Sequence, residues 1–443
     1  MNLILLSGGS GKRLWPLSNE VRSKQFLKIF KKNDGSHESM VQRMYRMITE
    51  VDKEAKVTIA TSNNQVALIR GQLGEKVGIS VEPCRRDTFP AIALAVSYLH
   101  DIESVSRNEV VAVCPVDPYI ESDYFIMIEK LCNIAKITDY NLALMGIDPT
   151  FPSEKYGYII PETDSMVSSV KAFKEKPNPK QAKEYISQGA LWNSGVFAFK
   201  LDYVLGIAEE RFGTRSYKEL FEKYNTLEKI SFDYAVVEKE KKIQVVRYHG
   251  MWKDLGTWDT LTEAMSEDVS GNAIAVDCNR THVINELHIP LIALGANNMV
   301  IAATPDGLLV ADKDKSDRLK DYVIENRPMV EKRIWGEYEV LDYRIQSDGN
   351  NSLTKHLVIS EGKHISYQRH QFRSELWTIV DGYGEVIIDG IVKSVKRGDY
   401  VFIEPGKKHA IKATTELHII EVQIGTELSE EDIERLDWNW ESN

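Results

Sequence analysis

Apolar residues fall along the chain in two kinds of run. NLILLS (2–7), VTIAT (57–61), VVAVCPV (110–116) and LALMGI (142–147) are short and continuous, as buried strands are. Between them, ESMVQRMYRMITEV (38–51) and PAIALAVSYLHDI (90–102) repeat apolar residues at every third and fourth position, the spacing of a helix with one buried face. Strands alternating with helices predict an α/β fold: a parallel sheet with helices on both faces. Ligands then bind beyond the carboxyl ends of the strands.

From about residue 271 the helical spacing stops. GNAIAVDCNRTHVINELHIPLIALGANNMVIAATPDGLLVADKDK has short apolar runs broken by Asn, Gly and Asp, the pattern of short strands and turns. DKDKSDRLKDYVIENRP reads as a charged linker helix stopped by proline. From about 333 to 427, alternating stretches surround the turn signals DGYG, IDG, RGD and EPGKK, which predicts a small all-β barrel or jelly roll. The tail LSEEDIERLDWNW opens with Ser429 and Asp432 at the spacing of a helix start. The pattern divides the chain into residues 1–268, 269–330 and 331–443.

Charge changes this picture more than composition does. The net charge is −11, which argues against nucleic acid or an anionic membrane as partner, since both need a basic face. The opening MNLILLSGG has no basic stretch and too short an apolar run for a signal peptide or a membrane span. Cys84, Cys114, Cys132 and Cys278 are widely separated, with no CxxC pair, and read as reduced thiols of a cytoplasmic protein.

Within this acidic chain, LSGGSGKRLWPLSNEVRSKQF (6–26) gathers basic residues around glycines just after the first strand. It is not a P-loop, because Arg13 follows Gly11-Lys12 and Leu6 stands where the first glycine would be. Glycines at 8, 9 and 11 do not make GxGxxG either. What remains is a Gly8-Gly9-Ser10-Gly11 turn whose amides can face a phosphate or a base, backed by Arg13 and Lys24. Arginine clamps phosphate through two parallel bonds, and lysine adds a point charge.

GGSGKRLWPLS with SKQF is followed by EPCRRDTFPAIALA (82–95), PVDPYI (115–120), YGYI (156–159), FKEKP (173–177), WNSGVF (192–197), SFDYAVVEK (231–239) and WKDLGTWDTL (252–261). In order and spacing this series resembles the sugar-1-phosphate nucleotidyltransferases, specifically the long mannose-1-phosphate guanylyltransferases. The resemblance implies a Rossmann-like nucleotidyltransferase domain, GTP and mannose 1-phosphate as substrates, and Mg2+ as cofactor. It implies that Leu6, Gly8, Gly9, Ser10, Gly11, Lys12 and Arg13 bind the nucleotide, with Glu82, Arg86, Asp87 and Thr88 near the base. Arg13, Lys24 and Asp117 would act in catalysis, Asp117 and Asp254 would bind Mg2+, and Gly157, Glu175, Lys176 and Asn193 would receive the sugar phosphate.

The chemistry asks for such groups. A phosphate oxygen must attack the α-phosphorus of a triphosphate in line, which brings two anions together and calls for cations and a divalent metal. The chain departs from the family at Asp117-Pro118, where Asp-His is usual, and at Arg86-Asp87-Thr88-Phe89-Pro90, where Arg-Asn-Thr-Ala-Pro is. The second stretch lies near the base in the family, so another NTP or hexose 1-phosphate stays open.

GKHISYQRHQFRSELWTIVDG (362–382) and RGDYVFIEPGKKH (397–409) resemble the two cupin motifs, and the region resembles the phosphomannose isomerase half of bifunctional guanylyltransferases. Gln368 and His370 are two apart on one strand and share a face. With Glu375 and His409 they make a mixed N/O set suited to Zn, Mn, Fe or Co. Gln371, Phe372 and Leu376 replace histidines of the family motif. Metal binding without isomerase activity is therefore expected; a bifunctional enzyme and a non-catalytic sugar-nucleotide sensor are the alternatives. The strand-rich region after 271 offers a surface for a homodimer.

Overall fold

The computed structural model describes residues 1–8, 12–32, 34–323 and 328–440. Gly9, Ser10 and Gly11 of the expected nucleotide loop, and residues 324–327 of the expected linker, lie outside the described residues. The chain forms two compact units, residues 1–303 with 308–323, and residues 304–307 with 324–443.

In the first unit the expected strands form at Asn2–Leu6, Lys56–Ser62, Val110–Pro115 and Leu142–Ile147, and the expected helices at Met40–Val51 and Thr88–Asp101. Ser39 starts the first helix through a capping box with Gln42. Leu3 and Leu5 enter the apolar core on one side of the sheet and Ile4 the core on the other, because successive strand side chains alternate. The nine strands run in the order Gly78–Glu82, Lys56–Ser62, Asn2–Leu6, Val110–Pro115, Leu191–Lys200, Leu142–Ile147, Ile243–Tyr248, Val167–Lys174, Tyr158–Pro161.

The sheet is mixed, not parallel throughout. Leu191–Lys200 lies antiparallel between Val110–Pro115 and Leu142–Ile147. Its apolar residues are buried on both faces, and it bends at Gly195, whose φ is +74°, where its register against Leu142–Ile147 shifts.

Beyond residue 268, Val269–Gly271, His282–Asn285 and Met299–Thr304 pair in parallel, as do Ala273–Val276 and Leu291–Leu294. The expected short strands and turns thus stack in parallel, giving the segment a β-helix-like form. Ile284, Val300, Ala302 and Leu309 belong to the same core as one face of the large sheet, which joins the segment to the first unit. The charged stretch after it is a 3-10 helix, Lys313–Asp321. Among the described residues, no helix is long and apolar enough to cross a membrane.

The second unit is all β. One sheet runs Val330–Arg333, Gly336–Arg344, Asn351–Ile359, Leu417–Gly425, Arg373–Asp381, Tyr400–Ile403. The other runs Ile391–Lys396, Tyr383–Ile388, His409–Ala413, Tyr367–Arg369, Glu434–Leu436. Leu353, Leu357, Trp377, Ile379 and Ile419 fill the space between the sheets. The tail forms a single 3-10 turn, Glu430–Asp432, and then the strand Glu434–Leu436 instead of the expected helix. Asp432 accepts from the amides of Gln371 and Phe372 at 3.0 and 3.2 Å, and the strand pairs with Tyr367–Arg369.

Candidate functional site

The loops after Asn2–Leu6 and Val110–Pro115 lie at carboxyl ends of strands, where an α/β sheet places ligands. The Leu6 carbonyl accepts from Val116 N at 3.2 Å, and Ser7 N donates to Ala60 O at 2.9 Å. The buried Gln25 amide donates to Ser7 Oγ at 3.0 Å. Gln65 donates to Ser23 Oγ at 2.7 Å and accepts from Thr61 Oγ1 at 2.9 Å. These bonds flank Lys24 on both sides and fix the 3-10 turn Lys24–Phe26 from which its side chain leaves. Nothing in the spacing marks Gln25 or Gln65, because an amide reads the same whether it ends up buried or solvated.

Asp254 arrives from far along the chain. Trp252–Asp254 pairs antiparallel with Pro118–Ile120, which sets Asp254 opposite Pro118, next to Asp117. Just beyond, Trp258 is fully buried and its indole N–H donates to the Trp15 carbonyl at 3.2 Å. Lys24 Nζ then lies 3.0 Å from Asp117 Oδ2 and 3.6 Å from Asp254 Oδ1. One ammonium offsets the repulsion of two carboxylates held side by side. Two partly exposed carboxylates are also the oxygen donors a hard divalent cation takes, with room left for phosphate and water, so the donor set fits such an ion.

Asp117 lines two cavities. One, of about 270 Å³, is bounded by Gly8, Lys12, Arg13, Lys24 and Gly256. The other, of about 220 Å³, is bounded by Gly157, Glu175, Asn193, Asp233 and Asp254. Lys176 is exposed and pairs with Glu175 Oε1 at 2.7 Å, from a left-handed backbone with φ +44° that non-glycine residues rarely adopt. Burial pulls the Lys176 ammonium down, but the hydrogen bond to Glu175 together with the charges of Glu175, Tyr234 and Asp233 leaves the group above its ordinary value. A Cβ on Gly157 would stand 2.5 Å from Glu175 Oε2 and 2.7 Å from the Phe173 ring, so any larger residue there would displace those side chains.

Asp233 joins this group without having been singled out. Its Oδ1 accepts from Asn193 Nδ2 at 2.7 Å. Burial, then the charge of Glu175, push its carboxyl up to about 7. The only sequence signal was its place inside SFDYAVVEK.

Glu82, Arg86, Asp87 and Thr88 line neither cavity. Glu82 accepts from Tyr224 OH at 2.7 Å, and burial raises its carboxyl. The Arg86 guanidinium donates to the Asn225 carbonyl. Asp87 Oδ1 accepts from Thr88 N at 2.7 Å and caps the helix Thr88–Asp101, while Thr88 Oγ1 accepts from Phe232 N at 2.8 Å. All four tie this wall of the unit together.

In the second unit, His370, Glu375 and His409 bring ligand atoms within 4.8 Å of one another, all three residues buried. His370 Nε2 is 3.2 Å from Glu375 Oε1, and His409 Nε2 is 3.7 Å from Glu375 Oε2. His409 Nδ1 lies 2.9 Å from the Lys407 carbonyl, which directs Nε2 inward. Among the described residues, His370 Nε2, His409 Nε2 and Glu375 Oε2 find no hydrogen-bond partner. Buried, unpartnered nitrogen and oxygen atoms so close together suit a divalent cation. Gln368 stands opposite His409 in the strand pair, and its Oε1 accepts from Ser366 Oγ at 2.9 Å.

Behind the triad, Arg373 Nε and Gln423 Nε2 donate to Glu375 Oε1 at 3.0 and 3.1 Å. Burial would raise Glu375, but His370, His409 and Arg373 hold it well below the usual carboxylate range. Burial lowers His409. Gln423 also donates to Glu421 Oε2 at 3.0 Å, and Trp377 to Glu421 Oε1 at 3.1 Å. Burial, then Glu375, push Glu421 up to about 7. Glu421 and Gln423 went unnoticed in the sequence because Ile420, Val422 and Ile424 between them suggest the opposite inside and outside for that strand.

A cavity lined by Lys12, Arg13 and Lys24 beside paired carboxylates at strand ends, on a mixed α/β sheet, followed by a cupin with a candidate metal triad, defines a two-part nucleotidyltransferase. A family model described as nucleotidyl transferase matches residues 2–271, and one described as mannose-6-phosphate isomerase C-terminal matches residues 324–438. The chain is 31% identical to a mannose-1-phosphate guanylyltransferase of Salmonella montevideo, over 98% of each protein. It is 30% identical to the xanthan biosynthesis protein XanB of Xanthomonas campestris, over 98% of this chain and 97% of that protein. A solved structure from Thermus thermophilus, described as a mannose-1-phosphate geranyltransferase, superimposes with a TM-score of 0.60 at 27% identity, covering 72% of this chain and 97% of that one. The chain belongs to the nucleotidyl transferase family, in the form that carries an isomerase-like C-terminal region.

Proposed function

We propose that the protein transfers the guanylyl group of GTP to mannose 1-phosphate, forming GDP-mannose and pyrophosphate. The observation that carries this reading is the Lys24 ammonium between Asp117 and Asp254, with Arg13 on one cavity and Glu175 on the other. The sugar phosphate oxygen forms the new bond to the α-phosphorus, and the bond to the β-phosphate bridging oxygen breaks. Arg13 and Lys24 hold the triphosphate and offset the charge that gathers on the leaving pyrophosphate. Glu175 accepts hydrogens from sugar hydroxyls, and Lys176 holds the sugar phosphate. Asp117 and Asp254 would hold Mg2+, which supplies further neutralisation of phosphate charge. Glu82, Arg86, Asp87 and Thr88 shape the base side through the wall they brace. Pyrophosphate release, screened for each NTP against mannose, glucose and fucose 1-phosphate, tests the reading; preference for another pair would replace the substrates named.

His370, Glu375 and His409, with Gln368, would hold a second divalent cation in the cupin. A second reading adds interconversion of mannose 6-phosphate and fructose 6-phosphate there. What favours it is Glu421, a buried carboxyl linked through Gln423 to Glu375, which supplies a base that the missing motif histidines do not. Conversion by Zn2+-, Mn2+- or Co2+-loaded protein, lost in His409→Ala with nucleotidyl transfer intact, would establish the bifunctional enzyme. Its absence in all three forms leaves the transferase alone.

A further inference from the structure

The corner that carries His370 leans on the far end of the chain. His370, Gln371 and Phe372 connect the strands Tyr367–Arg369 and Arg373–Asp381. Gln371 and Phe372 bring no histidine nitrogen, but their backbone amides donate to Asp432 Oδ1 and Oδ2 at 3.0 and 3.2 Å. Asp432 Oδ2 also lies 3.6 Å from Arg373 Nη1, and both side chains are only 2% exposed. Arg373 Nη1 donates to the Ser429 carbonyl at 3.0 Å, and Nε of the same guanidinium donates to Glu375 Oε1 at 3.0 Å.

The carbonyls of the corner are held as well. That of His370 accepts from Gly406 N at 2.6 Å and that of Phe372 from Thr426 N at 3.1 Å. One carboxylate near the end of the chain therefore reaches two members of the triad: His370 through the amides beside it, and Glu375 through the Arg373 guanidinium. Bonds from amides and a guanidinium to a buried carboxylate are charge-assisted and directional, and the carboxylate is costly to bury without them. Such outer partners fix where the ligand atoms of a metal site point.

We propose that Asp432 is a positioning residue for the divalent-cation site of the cupin, and that residues 429–436 form a clasp holding His370 and Glu375 within reach of His409. The proposal rests on the reading that this triad takes a cation. It also accounts for the short turn at Glu430–Asp432: the Asp432 carboxylate serves amides of a distant corner and starts no helix of its own. Glu434–Leu436 then pairs with Tyr367–Arg369 and lays the clasp along the strand of Gln368. The exposed ion pair between Arg369 and Glu434, at 2.6 Å, adds little to this, as surface pairs do.

Calorimetric titration of the full chain with Co2+, together with the visible spectrum of the bound ion, is the test; the cupin's share is the binding lost in His409→Ala. Asp432→Ala should weaken that binding about 10–100-fold and alter the spectrum at saturation, because His370 and Glu375 meet the ion from changed positions. Nucleotidyl transfer should stay unchanged. Asp432→Asn keeps the shape and one acceptor oxygen, so its affinity should fall between alanine and wild type, and it serves if the alanine variant does not fold. Glu434→Ala removes only the exposed pair of the same clasp and should leave affinity and spectrum as they are. Wild-type affinity in a folded Asp432 variant, or an equal loss in Glu434→Ala, would overturn the proposal while the metal reading stands. A wild-type chain with no binding that His409→Ala removes would overturn both.

Discussion

Asp117 and Asp254 share one ammonium, so neutralising either has a definite sign. Asp117→Asn and Asp254→Asn each remove a carboxylate available to a cation and should lower kcat by roughly 10²–10³-fold without unfolding the protein. Pyrophosphate release at modest Mg2+ checks this, and near-wild-type rates would take these residues out of the metal site. Asp233 makes a pH prediction. Its folded carboxyl stands at about 7 against an ordinary 3.8, so between those values the folded state keeps a proton that the unfolded chain has lost. Its contribution to stability is full below the lower value and is lost as pH rises through the upper one. Asp233→Asn should therefore gain stability relative to wild type between acid and pH 8, read as a difference in urea midpoints; parallel curves would mean Asp233 is already ionised in the fold. That Arg13, Lys24 and Glu175 gather at these cavities was legible in the motifs. The proton on Asp233 was not, because it depends on burial beside a carboxylate 58 residues earlier in the chain.

Short elements do most of the positioning. The ladder between Pro118–Ile120 and Trp252–Asp254 sets the two aspartates side by side, and the close approach of residue 157 to Glu175 shapes the second cavity. Gly157→Ala forces a Cβ to within 2.5 Å of Glu175 Oε2, so the carboxylate must move. KM for the sugar phosphate should rise about 10-fold or more while KM for the nucleotide holds, since small displacements at a reacting site are costly. Varying each substrate in turn checks the split, and equal effects on both would place Glu175 elsewhere in the reaction. Periodicity made the long helices and first strands legible. It could not reveal the antiparallel run of Leu191–Lys200, the three-residue ladder or the strand that ends the chain, whose partners lie far away in sequence.

For the molecule as a whole, a cation held by the cupin triad would couple metal binding to stability. Without a cation, His370, His409 and Glu375 bury atoms that lack partners, which is unfavourable. Loading the full chain with Zn2+ should raise its thermal stability, by about 2.7 kcal/mol at a hundredfold excess over Kd. His409→Ala should abolish the rise and Asp117→Asn should not, as calorimetry would show; no rise in wild type would mean the triad does not hold the ion. Sequence alone determined the α/β and all-β halves, because side-chain period follows from local geometry, and it determined the order of motifs that names the family. Only the tertiary structure decided that Lys24 spans Asp117 and Asp254, that Glu421 and Gln423 face inward behind Glu375, and that Ile292 and Leu294 face out. Strand polarity, register and burial are set by pairing between distant segments, and a carboxylate or an isoleucine reads the same in the sequence on either side of a sheet.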